Sequence, residues 1–176
     1  MKIVDIFAEK LFTFVYLTKD GSSYNVNEYD RLMDLWTDVS YLRNYAKVNN
    51  VSNINQFVAG RLLDAENIQD LLEELSENNQ PLEHYFRPLY NDETGFKILS
   101  LQKGRVSNRD GLRIYAIKID DDCFVITGGA IKMSQLMEDH PDTDNELTKI
   151  KKAQDYFKEN NVFDIDSFYE FKSEME

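Results

Sequence analysis

Residues 11–17 are almost continuously aromatic and β-branched, Leu-Phe-Thr-Phe-Val-Tyr-Leu, and the turn signal Lys19-Asp20-Gly21-Ser22 follows. A run so short and so bounded reads as a strand. The rhythm then changes. Tyr29, Leu32, Met33, Leu35, Trp36, Val39, Leu42 and Tyr45 recur at steps of three and four, which lays one apolar stripe along a helix, with Asn25 or Asn27 placed to cap it. Ser52 or Asn53 can cap a second helix through Ile54, Phe57, Val58, Leu62 and Leu63. Residues 65–75 keep the period through Ile68, Leu71 and Leu72 until the polar stretch 76–81 stops it.

Three apolar helical faces need something to cover, and the second half of the chain supplies it. Residues 95–101, 112–119 and 123–133 are candidate strands, the last two joined by Asp120-Asp121-Asp122, a link short enough to make them antiparallel neighbours. Residues 142–160 read as an acidic amphipathic helix through Leu147, Ile150, Ala153, Tyr156 and Phe157, and residues 166–171 as a further helical turn. Runs of helices beside runs of strands indicate the α+β class. The chain has 176 residues with no repeat, low-complexity tract or Gly/Ser linker, so a single domain over 1–176 is expected, its helical elaboration lying at about 25–80. The expected architecture is a largely antiparallel sheet with the N-terminal helices packed mainly on one face, plus a C-terminal helix. Its expected core includes Phe14, Leu32, Trp36, Leu72, Ile98, Ile114, Ile126, Ile150 and Phe157.

Composition narrows the classes. With 42% hydrophobic residues, seven Gly and three Pro, the chain is neither disordered nor fibrous. No stretch reaches the roughly 18 apolar residues of a spanning helix, and Asp5, Glu9 and Lys10 interrupt the place where a signal peptide would be apolar. A soluble cytoplasmic protein without membrane partners is the expectation. The lone Cys123 excludes an internal disulfide framework and a multi-cysteine zinc site. The formal net charge of −12 argues against coating nucleic acid through bulk charge. Its distribution is uneven, however: from residue 97 to 118, Lys97, Lys103, Arg105, Arg109, Arg113 and Lys118 are opposed only by Asp110. Such a run is either a solvated face or a binding surface.

Other motifs point to structure. Gly128-Gly129 lacks the spacing of a phosphate loop and fits a bulge or close packing. His84 and His140 are solitary and fit surface or capping roles, while the three aspartates at 120–122 lack a calcium loop's length and glycine. No metal and no cofactor are expected. Cys123 fits packing better than nucleophilic catalysis. Most of Phe12, Phe14, Tyr16, Tyr29, Tyr85, Phe86, Tyr90, Tyr156, Phe157, Phe168 and Tyr169 fall on apolar stripes and should be core. Alternation on the strand 112–119 sends Arg113, Tyr115, Ile117 and Ile119 to one face and Leu112, Ile114, Ala116 and Lys118 to the other. Lys97 and Lys132 are the cations that could join Arg113 from the neighbouring strands.

The order of these segments resembles a known family. Pro81-Leu82 and Arg87-Pro88-Leu89 lead into Gly95-Phe96-Lys97-Ile98, then Gly111-Leu112-Arg113-Ile114-Tyr115, then the stretch from Phe124 through Gly128-Gly129-Ala130-Ile131-Lys132, then Lys149-Ile150-Lys151-Lys152-Ala153 and Tyr156. Over roughly residues 81–157 this is similar to the RelE/HigB toxins of bacterial type II toxin–antitoxin systems. The resemblance implies an endoribonuclease that cleaves messenger RNA on the ribosome without metal, by attack of a 2′-hydroxyl on the adjacent phosphate, and that an antitoxin protein neutralises. It implies catalytic roles for Lys97, Arg113, Tyr115 and Lys132, with Lys103, Arg105 and Arg109 binding RNA. Clustered cations suit that chemistry, because they stabilise the phosphorane charge and lower the pKa of a neighbouring base.

The chain departs from the family pattern in its acidity, in Met133 where a second cation would follow Lys132, in the lack of Tyr or His within residues 134–138, and in the length of segment 102–110. The alternative is therefore a non-catalytic, acidic protein-interaction module on the same fold.

Overall fold

A computed structural model describes residues 1–90, 97–106 and 111–175, apart from the side chains of Ala8 and Glu9. Its centre is one six-stranded sheet built from β1 (Lys2–Ile6), β2 (Ala8–Val15), β3 (Phe86–Pro88), β4 (Ser100–Gly104), β5 (Gly111–Asp120) and β6 (Cys123–Lys132), in the order β1-β2-β6-β5-β4-β3. All neighbours are antiparallel except β2 and β6, which run parallel and are separated in the chain by three helices and by β3–β5. The class is α+β.

Those three helices are α1 (Glu28–Thr37), α2 (Val39–Val48) and α3 (Ile54–Glu77). The unbroken stripe from Tyr29 to Tyr45 is in fact two helices, split at Asp38. This residue ends α1 and caps α2, its carboxylate accepting from the backbone N–H of Ser40 and Tyr41. Asn27 caps α1 and Asn53 caps α3 through the same kind of bond. The two apolar runs after Asn53 merge into one 24-residue helix. Trp36, Leu42, Val58, Ile68 and Leu72 press this layer onto Leu11, Leu112, Ile114, Phe124 and Ile126 of the sheet.

The opposite face is covered too, by α4 (Pro141–Glu159) and α5 (Ile165–Glu174). Leu147, Ile150, Ala153, Phe157, Phe168 and Phe171 pack on Phe12, Phe14, Ile117 and Val125. Both faces of the sheet are thus buried, each large side chain contributing about 1.5–3 kcal/mol. Of the expected core residues only Ile98 is partly exposed.

The β5–β6 hairpin matches its expected span, but its neighbour does not. In place of a strand over 95–101, residues 97–100 form a turn in which Leu99 adopts φ 55° and donates to Lys118 O, and β4 starts at Ser100. Gly95 and Phe96 lie outside the described residues. Lys97 consequently precedes the sheet instead of belonging to it, while Lys103 lies within β4.

A bulge in β6 completes the framework. Tyr115 pairs with Gly128, yet Ala116 pairs with Ile126, so Thr127 is an extra residue. Phe124 and Ile126 face the α1–α3 layer before the bulge; after it Ala130 faces α4 and Ile131 faces α1–α3. This inverted alternation sends Lys132 to the α4 side of the sheet, the side of Arg113 and Tyr115. The glycines here are needed for close approach. A Cβ on Gly129 would stand 2.6 Å from Arg113 O and 2.8 Å from Trp36 Cη2.

Candidate functional site

Beside the N-terminal half of α4, the ends of β4, β5 and β6 leave a cleft of about 240 Å³ lined by Lys103, Arg105, Arg113, Tyr115 and Lys132 from the sheet side. Leu89, Tyr90 and the segment from Ser134 to Glu138 form its rim, and Thr143 and Leu147 of α4 close it. Among the described residues, four cations and one carboxylate, Glu138, therefore line a single cleft in a chain of net charge −12.

Local structure explains the convergence. Lys103 pairs with Tyr115 across β4 and β5, which puts the two on the same face. Its ammonium donates to Leu89 O at 2.9 Å, tying the strand to the rim. Leu89 N donates in turn to Leu101 O. Arg113, 2% exposed, sits at the cleft floor with its guanidinium donating to Leu112 O at 2.9 Å. The rim segment is held by Thr143, whose hydroxyl donates to Met137 O at 2.6 Å, so the chain after Lys132 folds back against α4.

The electrostatics follow from crowding. Burial lowers the pKa of Lys103, and the nearby Arg105, Lys132 and Arg113 lower it further. Burial and Arg105 act on Arg113 in the same direction, although a guanidinium stays protonated throughout the accessible range. Tyr115 moves the other way: burial raises its phenol well above the ordinary tyrosine value, Arg113 opposing, so it remains protonated. Chemically, the cleft offers cations for an anion, a lysine whose pKa is lowered, a phenol that can donate a proton, and an apolar wall from Leu89, Leu136, Met137 and Leu147.

Arg113 and Tyr115 share a face as the alternation suggested, and the bulge at Thr127 brings Lys132 to them. Lys97 does not join them. It lies on a shallower groove with Ser100, Leu101, Lys151, Gln154 and Asp155, because the turn at 97–100 displaces it from the strand register that would have aimed it inward. Lys103 and Arg105, expected only to bind RNA around a site, occupy its wall; Arg109 lies outside the described residues. Lys118 points to the other face, paired with Glu83 and with Asp121. Sequence reasoning missed the rim formed by Leu89, Tyr90 and the stretch after Lys132. The available signal was its position directly beyond strand ends.

Motifs read as structural behave so. His140 caps α4 through Nδ1, which accepts from Asp142 N, and its Nε2 lies 2.7 Å from Asn49 Oδ1. Cys123 is buried and its thiol is pushed up to about 12. Asp122 binds Lys10 and the N–H of Leu82. Among the described residues no cluster of three His, Cys, Asp or Glu could hold a metal ion, and no helix is long and apolar enough to cross a membrane.

A second charged cluster lies near the bulge. Glu28, 5% exposed, accepts two hydrogen bonds from Arg31 at 2.6 and 2.9 Å and one from Lys149 Nζ at 2.8 Å; Lys149 also contacts Glu146 at 3.1 Å. Burial alone would raise the Glu28 pKa, but Arg31 and Lys149 outweigh it and hold the carboxyl below the usual range. Burial wins at Glu146, whose pKa is raised and whose Oε2 has no hydrogen-bond partner among the described residues. Gly128 makes room for this carboxylate, since a Cβ there would stand 2.0 Å from Oε2.

Compared with protein-family models, curated proteins and solved structures, the chain matches none.

Proposed function

We propose that the protein is a RelE/HigB-like, metal-independent endoribonuclease that acts on ribosome-bound messenger RNA and is held in check by an antitoxin protein. The observation that carries this reading is the convergence of Lys103, Arg105, Arg113 and Lys132 in one cleft with an apolar wall. Such a cleft suits a phosphate together with a nucleobase. The resemblance over residues 81–157 supplies the polymer and the ribosome.

In this reading Lys103, its pKa lowered by burial and by three neighbouring cations, takes the role that the family resemblance gives to Lys97. Once deprotonated, its amine removes the proton of the 2′-hydroxyl, whose oxygen attacks the adjacent phosphorus. Arg113, Arg105 and Lys132 stabilise the charge that accumulates on the non-bridging oxygens. The P–O5′ bond breaks, the leaving oxygen takes the Tyr115 phenolic proton, and a 2′,3′-cyclic phosphate and a 5′-hydroxyl end result. Cations and a tuned base suffice for this balance.

The test is expression of the protein alone, with mapping of 5′-hydroxyl ends on ribosome-bound message. Wild type should arrest growth and cleave. Lys132→Ala and Lys103→Ala should lower cleavage about 100-fold or more. Arg113→Ala should abolish it, with circular dichroism checking the fold because this side chain is buried. Wild-type protein that neither arrests growth nor cleaves removes the nuclease and leaves the acidic interaction module.

A further inference from the structure

Tyr90 is 42% exposed and lines two depressions at once. On one side is the cationic cleft. On the other is the groove of about 340 Å³ that holds Lys97 and Lys151, both exposed, with Asp155 its one acid among the described residues. Asp155 is itself met by Lys158 at 3.6 Å.

The groove is firmly built although its cations are exposed side chains. Leu89, next to Tyr90, is bonded on both sides, N–H to Leu101 and carbonyl to Lys103. The turn carrying Lys97 is fastened at Leu99, whose N–H donates to Lys118 O at 2.7 Å and whose carbonyl accepts from Gln154 Nε2 of α4 at 2.6 Å. Tyr90 thus follows a fastened residue and borders both cationic sites. That alternation of cation, ring and cation is how proteins follow a single strand, phosphates meeting charges while an unpaired base stacks on the ring. A duplex would not offer its base faces to such a ring.

We infer that Tyr90, Lys97 and Lys151 form a second nucleotide subsite, so that the ligand is a single strand of at least about three nucleotides whose base stacks on Tyr90 and whose next phosphate lies between the two lysines. This rests on the reading of the cationic cleft as a phosphodiester site. It also gives Lys97 and Tyr90 a role in positioning the strand rather than in the chemistry.

The experiment is calorimetric titration of the full chain with uncleavable 2′-O-methyl oligoribonucleotides of two and five residues, at two salt concentrations. Wild type should bind the pentamer about tenfold more tightly than the dimer. Lys97→Gln with Lys151→Gln should remove most of that gain, reduce the salt slope by about 0.7 for each phosphate no longer neutralised, and leave the dimer affinity unchanged. Tyr90→Ala should weaken the pentamer more than the dimer, and Tyr90→Phe should restore it. A pentamer no tighter than the dimer, or lysine variants that weaken both equally, overturns the subsite while the cleft stands. A dimer that does not bind, or that is indifferent to Lys132→Ala, overturns the cleft and the subsite with it.

Discussion

Two charged regions lie along α4, and they differ in what surrounds their cations. Around Gly128, Arg31 and Lys149 meet Glu28 and Glu146 in contacts of 2.6–3.1 Å, and Glu28 is almost wholly enclosed. Around Arg113, four cations line an open cleft whose wall includes, among the described residues, a single carboxylate. The first region is a closed ion network that joins α1 to α4 across the bulge. The second sets four cations around a space that a ligand can enter. The two regions thus differ in geometry: one is an enclosed network bridging α1 and α4, the other an open cleft beside α4.

Breaking the closed network should have the largest effect. Glu28→Ala removes a partner of both Arg31 and Lys149 and should destabilise the chain by about 2–3 kcal/mol, below the roughly 3–5 kcal/mol of a fully buried pair, since Arg31 and Lys149 retain side-chain exposures of 36% and 26%. Urea unfolding measures it, and Lys132→Ala in the cleft should shift the same curve by no more than about 0.5 kcal/mol. Equal losses from the two variants would erase the distinction between network and cleft.

A smaller effect sharpens it. Because the folded-state pKa of Glu28 is lowered, its contribution to stability is present above the ordinary value of 4.5 and is lost as pH falls through the folded value. Glu146 has the opposite sign: its folded-state pKa is raised, so its contribution is full below 4.5 and is lost as pH rises through a value above that. Glu146→Gln should therefore gain stability relative to wild type between pH 4.5 and neutrality. Unfolding midpoints measured across that window check the sign, and a wild-type advantage that grows with pH would reverse it.

Much of this arrangement was legible in the sequence. One of the two candidate caps at each helix start (Asn27 and Asn53), the β5–β6 hairpin and the partition of β5 into an Arg113–Tyr115 face and a Lys118 face follow from local chemistry and a period of two. What escaped was short or polar. β1 buries only Ile3 among its five residues, and β3 has three residues ending in Pro88, so neither prints a hydrophobic rhythm. β4 runs Ser-Leu-Gln-Lys-Gly, with Gln102 buried and donating to Ser100. Its polar sequence hid the strand, and the apolar stretch before it invited a start five residues early; that offset moved Lys97 into the sheet and Lys103 out of view. The bulge at Thr127 inverts alternation with no apolar break to announce it. The cleft is readable as a charge anomaly at 97–118, but its membership is set by long-range register.

The central claim is that the open cleft, and not the closed network, receives the phosphate. Titrating isotopically labelled protein with a nucleoside 3′-monophosphate and following the amide resonances tests this directly. Saturable shifts should concentrate at Lys103, Arg105, Arg113, Tyr115 and Lys132 and in the rim from Ser134 to Met137, with Glu28, Gly128 and Lys149 unmoved. Shifts centred on the Glu28–Lys149 network, or no saturable shift anywhere, would contradict the account.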